Sequence, residues 1–200
     1  PLRTSSAASD VYKRQSRYFV ANADNGSTEL LLEDKDEAWI DVRNTWPYQD
    51  KAGWKFINGG KEFLYTSEKD GWSHVYRYDI EKREEFLVTK GDYDVIRPLS
   101  FDEEKGDIYF IASPKDPTER YLYKTSENNE LELVTPKLLE GTHNYQISTK
   151  SRYAFHSFSN YYTRPMQSIV NLPDHEYINK DDDILSKFNP SLKDSNPLEF

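Results

Sequence analysis

The sequence predicts an all-β chain, a β-propeller fragment of about three and a half four-stranded blades. Three observations carry this. Alternating apolar triplets return at a spacing of 45 residues: Phe63, Tyr65 and Ser67, then Ile108, Phe110 and Ala112, then Tyr153, Phe155 and Ser157. Each triplet follows a turn-forming cluster, respectively Asn58-Gly59-Gly60, Glu103-Glu104-Lys105-Gly106 and Ser148-Thr149-Lys150-Ser151. Fifteen Tyr, ten Phe and four Trp suit strands, whose pleated surface favours aromatic residues. Short strands repeated at roughly 40–50 residues are the pattern of propeller blades.

Taken in chain order, residues 1–15 show neither strand alternation nor a helical apolar face, and they carry no signal-peptide h-region. They read as a non-native or disordered leader outside the fold. Phe19-Val20, a polar Ala23-Asp24-Asn25-Gly26 turn and Leu30-Leu31-Leu32 form the closing hairpin of an earlier blade. In the next blade, Trp72 to Tyr78 forms the return strand, and Val75, Tyr76 and Tyr78 lead to Phe86-Leu87-Val88-Thr89. In the one after, Leu122-Tyr123 leads through Ser126-Glu127-Asn128-Asn129 to Leu131-Glu132-Leu133-Val134-Thr135. Between Ser67 and Trp72, Asp70-Gly71 supplies turn chemistry, with Gly71 free to take positive φ. Residues 16–180 make up the partial propeller. Residues 181–200, with a short helix-like Ile184–Phe188 behind an Asp cap, read as a linker.

Several chemistries find no support in the residues. No two of the eight glycines are four apart, so the G-x-S-x-G elbow that exposes a hydrolase serine is missing. The four histidines, His74, His143, His156 and His175, are nowhere closer than 13 residues, which excludes local metal-binding spacing. The acidic runs Glu33–Glu37 and Asp181–Asp183 lack the layout of a calcium loop and read as solvated surface. No metal or other cofactor and no catalytic residue is expected. A formal net charge of −9 argues against a nucleic-acid surface, and no apolar stretch reaches membrane-span length. With no cysteine, the chain offers neither disulfide nor thiolate. His74, flanked by Trp72 and Tyr76, reads as a structural imidazole hydrogen-bonded between blades.

The most specific local pattern is S-E-K-D-G-W-S-H-V-Y-R-Y-D over Ser67–Asp79, followed by L-V-T-K-G-D-Y-D-V over Leu87–Val95. Upstream stands the acidic turn Glu33–Glu37, leading to Trp39-Ile40-Asp41-Val42. Downstream stand Ile108–Ser113 and Arg120–Tyr123. These motifs resemble the late blades of the propeller in dipeptidyl peptidase IV-like enzymes, a branch of the prolyl oligopeptidase clan. The likeness runs over about residues 16–200.

The resemblance implies a non-catalytic portion of a periplasmic or secreted serine-type exopeptidase that releases dipeptides after Pro or Ala. In that family the propeller gates and positions a peptide substrate over a C-terminal α/β-hydrolase domain carrying the Ser-Asp-His triad. That domain, and the paired-glutamate motif that holds the substrate's amino terminus, are expected outside these residues. Glu84-Glu85 and Glu103-Glu104 stand in the wrong blade context and read as surface turns. By resemblance, Arg43 and Asn44, at the end of a Trp39–Asn44 strand, are the candidate substrate-binding residues, and a homodimer is a further expectation. A tripeptidyl peptidase, a prolyl oligopeptidase-type endopeptidase and a stand-alone propeller used as a binding platform stay open as alternatives.

Overall fold

The computed structural model describes residues 2–9, 14–41, 54–126 and 130–178. They fall into two compact units, residues 1–95 and 96–200. The first holds β1 (Leu2–Ser9), β2 (Gln15–Asn22) and β3 (Thr28–Lys35) in one antiparallel sheet. Its second sheet contains β4 (Trp54–Ile57), β5 (Glu62–Ser67), β6 (His74–Asp79) and β7 (Glu84–Leu87), in chain order. The second unit holds a four-stranded sheet of β8 (Val95–Asp102), β9 (Asp107–Ala112), β10 (Tyr121–Thr125) and β11 (Leu131–Leu133). Beside it is a three-stranded sheet of β12 (Thr142–Ile147), β13 (Tyr153–Ser159) and β14 (Met166–Asn171). The chain is all-β. Up-and-down sheets of three or four strands are consistent with the propeller fragment that the repeat predicts.

One prediction is revised at the amino terminus. Residues 2–9, left outside the fold by their lack of alternation, form β1, which pairs with β2 from Leu2↔Asn22 to Ser9↔Ser16 around an irregularity between Ser5 and Ala8. Backbone pairing along an edge needs no apolar face, so alternation is silent about such a strand. The return strand also starts later than predicted, at His74 rather than Trp72.

The three triplets fall on β5, β9 and β13. In the first unit Phe63 and Tyr65 are wholly buried and pack with Tyr18, Val20 and Leu31 of the facing sheet. Register sets Phe63 opposite Tyr78 and Tyr65 opposite Tyr76, with ring centroids 5.2 and 5.6 Å apart. Such aromatic pairs add about 0.5–1.5 kcal/mol beyond their buried area. Tyr78 also donates its hydroxyl to the Leu31 carbonyl at 2.7 Å, a bond from one sheet to the other.

In the second unit the core is mostly aliphatic. Leu99, Ile111, Leu122 and Val134 meet Ala154, Val170 and Leu172, with Tyr109 and Tyr145 among them. Here the third triplet departs from the repeat. Tyr153 and Phe155 are 52% and 43% exposed, while Ala154, His156 and Phe158 take the buried face. β9 is buried along its whole length, so the departure lies in β13 alone: one face of that strand is exposed, and it carries Tyr153 and Phe155.

One turn recurs four times. Asn22–Gly26, Asp79–Arg83, Asp102–Gly106 and Asn171–His175 each close with the fifth N–H donating to the first carbonyl, at 2.9, 2.9, 2.7 and 3.1 Å. The fifth residue has φ of 71°, 57°, 73° and 55°. Asx side chains favour such turns by accepting local N–H groups. Asp79 Oδ1, for instance, accepts from the N–H groups of Glu81 and Lys82, and these bonds, that from Lys82 foremost, hold its carboxyl below the usual range. Glycine is the easy occupant of the last position. A histidine occupies it at 175, and its ring is buried.

Candidate functional site

The two halves of the Ser67–Val95 pattern meet around one ring. His74, 1% exposed, sits at the start of β6 with Nε2 3.0 Å from the Gly91 carbonyl and Nδ1 3.2 Å from Thr89 Oγ1. A carbonyl only accepts, so Nε2 carries the proton, and in the neutral ring Nδ1 accepts from the Thr89 hydroxyl. Thr89 Oγ1 in turn accepts the Val75 N–H at 2.9 Å. Tyr93 stands edge-on to His74 with centroids 5.6 Å apart. Gly91 (φ 152°) is required beside it, because a Cβ there would lie 2.3 Å from the Tyr93 ring. Ser73 completes the join, its N–H donating to Asp94 Oδ1 and its carbonyl accepting the Val95 N–H. His74 is structural, as predicted. Its partners lie on the chain leaving its own sheet rather than on a neighbouring sheet, which corrects the between-blade expectation.

Arg43 and Asn44 lie outside the described residues. Of the strand expected to carry them, Trp39, Ile40 and Asp41 are described, and they belong to no strand. Asp36 organises this segment by accepting the N–H groups of Trp39 (3.0 Å) and Ala38 (2.7 Å), which hold its carboxyl below the usual range. A crevice opens there, lined by Asp34, Asp36, Trp39, Asp41, Ser67 and Lys69 among others. Its interior of about 10 Å³ has room for about one water. The carboxylates on its walls favour a cation over an anion, but the space admits no side chain. Inside, Ser67 Oγ donates to Asp34 Oδ2 at 2.6 Å, both residues being buried.

Lys69, on the crevice wall, reaches Glu85 on β7, donates to Tyr65 Oη at 2.8 Å and lies 4.1 Å over the Tyr76 ring. Tyr65 donates to Glu85, and its burial, foremost, together with this carboxylate holds the phenol proton well above the usual range. Glu84 and Glu85, expected in a surface turn, are strand residues, and Glu85 anchors this ion pair. Glu103 and Glu104 do lie in an exposed turn.

The second unit assembles the other three histidines. His143 Nε2 is 2.8 Å from the Leu139 carbonyl, and its Nδ1 is 2.9 Å from His156 Nε2. His156 Nδ1 is 3.3 Å from Ser168 Oγ. The carbonyl at one end fixes every proton. His143 donates from Nε2, its bare Nδ1 accepts from His156, and His156 Nδ1 accepts from Ser168. Tyr145 joins from the same face, 3.0 Å from Thr135 Oγ1 and 2.8 Å from His175 Nε2. Thr135 Oγ1 also accepts the Leu122 N–H at 2.8 Å, which leaves it a second lone pair and its own proton for the contact with Tyr145.

Burial, first of all, pushes the ring of His156 down to about 3 and that of His175 to about 4, and lowers His143 as well. His156 and Ser168 are therefore no catalytic pair. A ring so reluctant to accept a proton is no base near neutral pH, and its far nitrogen meets another imidazole rather than a carboxylate. Among the described residues no group of acids and histidines has the geometry to hold a metal ion. Spacing along the sequence concealed this cluster. The hairpin register sets Tyr145 opposite His156 and His143 opposite Phe158, so a 13-residue gap closes to one hydrogen bond.

Comparison with known proteins agrees with this architecture. The chain is 29% identical over 103 residues to dipeptidyl peptidase 4 of Trichophyton rubrum, covering 52% of this chain and 12% of that protein. Against dipeptidyl peptidase 4 of Arthroderma otae the identity is 28% over 120 residues, covering 58% and 15%. The chain thus spans a small part of these relatives. The crystal structure of Porphyromonas gingivalis dipeptidyl peptidase 4 superposes with a TM-score of 0.77 at 21% identity, covering 97% of this chain and 26% of that one, and it shares the fold. The family model describing the dipeptidyl peptidase IV (DPP IV) N-terminal region matches residues 6–165, and the chain belongs to that family.

Proposed function

We propose that this chain is the non-catalytic β-propeller portion of a serine exopeptidase that cleaves N-terminal dipeptides after Pro or Ala, and that it gates and positions the peptide. The observation that carries this reading is the family match across residues 6–165. The described residues agree with it in offering packed antiparallel sheets and a hydrogen-bonded interior. Chemistry would come from a C-terminal α/β-hydrolase domain in the full-length protein, by acyl-enzyme steps. A periplasmic or secreted location belongs to the same proposal.

The test compares the full-length gene product with the 200-residue chain on Gly-Pro and Ala-Pro chromogenic amides. The full-length protein turns them over and the chain alone does not. Turnover by the purified chain, or none by the full-length protein, would overturn the reading. Arg43 and Asn44 are proposed to contact the substrate. Removing an interaction made equally in ground and transition states raises KM and spares kcat. In the full-length enzyme Arg43→Ala is expected to do so, and unchanged kinetics in both Arg43→Ala and Asn44→Ala would remove the pair from the site.

A further inference from the structure

The second unit contains more buried titratable chemistry than its packing requires. His143, His156 and His175 are each no more than 3% exposed. They link β12, β13 and β14 to the 135–139 segment and, through His175, to the turn after β14. His143 and His156 lie nearly coplanar at an interplanar angle of 8°, and His175 stands at 78° to His156 with centroids 4.9 Å apart.

The groups packed around the rings come from every side. Tyr121 of β10 stacks on His143 at 5.5 Å and donates its hydroxyl to Glu119, the acidic residue whose field reaches that ring. Phe158 of β13 stacks on His143 at 4.7 Å. Tyr145 of β12 stacks on His156 at 4.6 Å, and Tyr177 stands edge-on to His175 at 6.0 Å. Asp174 and Glu176 flank His175 along the chain. No carboxylate pairs with any of the three rings among the described residues; the Leu139 carbonyl at His143 favours a charged ring, but burial outweighs it.

We propose that this three-histidine cluster is an acid-operated latch, which holds the β12–β14 sheet and its following turn closed at neutral pH and releases them on proton uptake in mildly acidic surroundings. The directional hydrogen bonds supply the mechanism. A proton added to His143 Nδ1 would face the N–H of His156, donor against donor. That event breaks a buried bond and leaves a charge with no carboxylate to pair it, and opening to water relieves both.

The sign follows from linkage. The rings resist protonation when folded, whereas an exposed histidine titrates near 6.5. Below about pH 6.5 the open form therefore binds more protons than the closed form, and each histidine shifts the closed-to-open ratio by up to about tenfold per pH unit. Three together give up to about a thousandfold per unit. The closed state has its full stability above that range and loses it progressively as the pH falls toward 4.

Hydrogen exchange on the full-length protein reads this directly. Between pH 7 and pH 5, after correction for intrinsic exchange rates, peptides from 142–178 should lose protection by at least about tenfold more than peptides from 62–79. His143→Gln/His156→Gln should flatten that difference. Equal losses in both regions, or a folded double variant that keeps the wild-type difference, would overturn the latch. Should the variant fail to fold, imidazole NMR of the wild-type protein decides instead. Non-titrating rings, with His143 and His156 both protonated at Nε2 until the sheet opens, support the latch. A normal titration near pH 6.5 in an intact fold refutes it.

Discussion

The two units solve one packing problem with different chemistry. Each contains a four-stranded sheet whose third strand is stapled by a threonine: Val75 N–H to Thr89 Oγ1 in the first, Leu122 N–H to Thr135 Oγ1 in the second, at 2.9 and 2.8 Å. The staples then diverge. Thr89 turns to His74, a single imidazole closed off by Gly91 and Tyr93 on the chain leaving its own sheet. Thr135 turns to Tyr145 of the next sheet and through it to His175. The first unit's shared core is rich in phenol and phenyl rings. The second has an aliphatic centre bordered by imidazoles. A repeat thus specifies where strands and their backbone bonds fall, while the residues on facing sheets decide what the interior does.

The largest effect that would break or sharpen this comparison lies in the triplets. Phe63→Ala removes a fully buried ring and should destabilise the first unit by about 3–5 kcal/mol. Phe155→Ala, at the matching 45-residue position, removes a ring that is 43% exposed and should cost less than about 1 kcal/mol. Urea unfolding followed by exchange on peptides of each unit measures both. Equal losses would mean that the third triplet is buried in the full-length protein.

A smaller effect separates the staples. Thr89→Val and Thr135→Val keep the shape but orphan a buried N–H, at about 1–3 kcal/mol each. The Thr135 variant should also lessen the acid sensitivity of the second unit, because the Tyr145 oxygen is then free to accept from a protonated His175. If both variants show the same pH dependence, Thr135 is not coupled to the histidines. The smallest effect tests the turn. At φ 55° alanine is strained and glycine is not. His175→Ala should therefore be about 1 kcal/mol less stable than His175→Gly, though both lose the bond to Tyr145. Equal midpoints for the two variants would show that the turn does not hold its backbone in that conformation.

Much of this was legible in the residues alone. The strands β5, β9 and β13 were read from alternation, because burying one face of a pleated strand needs a period of two. Turns at Asp70-Gly71 and Glu103–Gly106 were read from residues that tolerate positive φ or accept local N–H groups. The pattern Ser67–Val95 pointed to the family, and its residues converge on His74. Tertiary structure alone decided three things. It placed β1, since an edge strand held by backbone bonds leaves no apolar signature. It put Tyr153 and Phe155 on the exposed face of β13, since a spacing of 45 tells which residues share a face and not which face is covered. It also gathered His143, His156 and His175, because the hairpin register and an Asx-headed turn, rather than proximity along the chain, bring those rings within hydrogen-bonding reach.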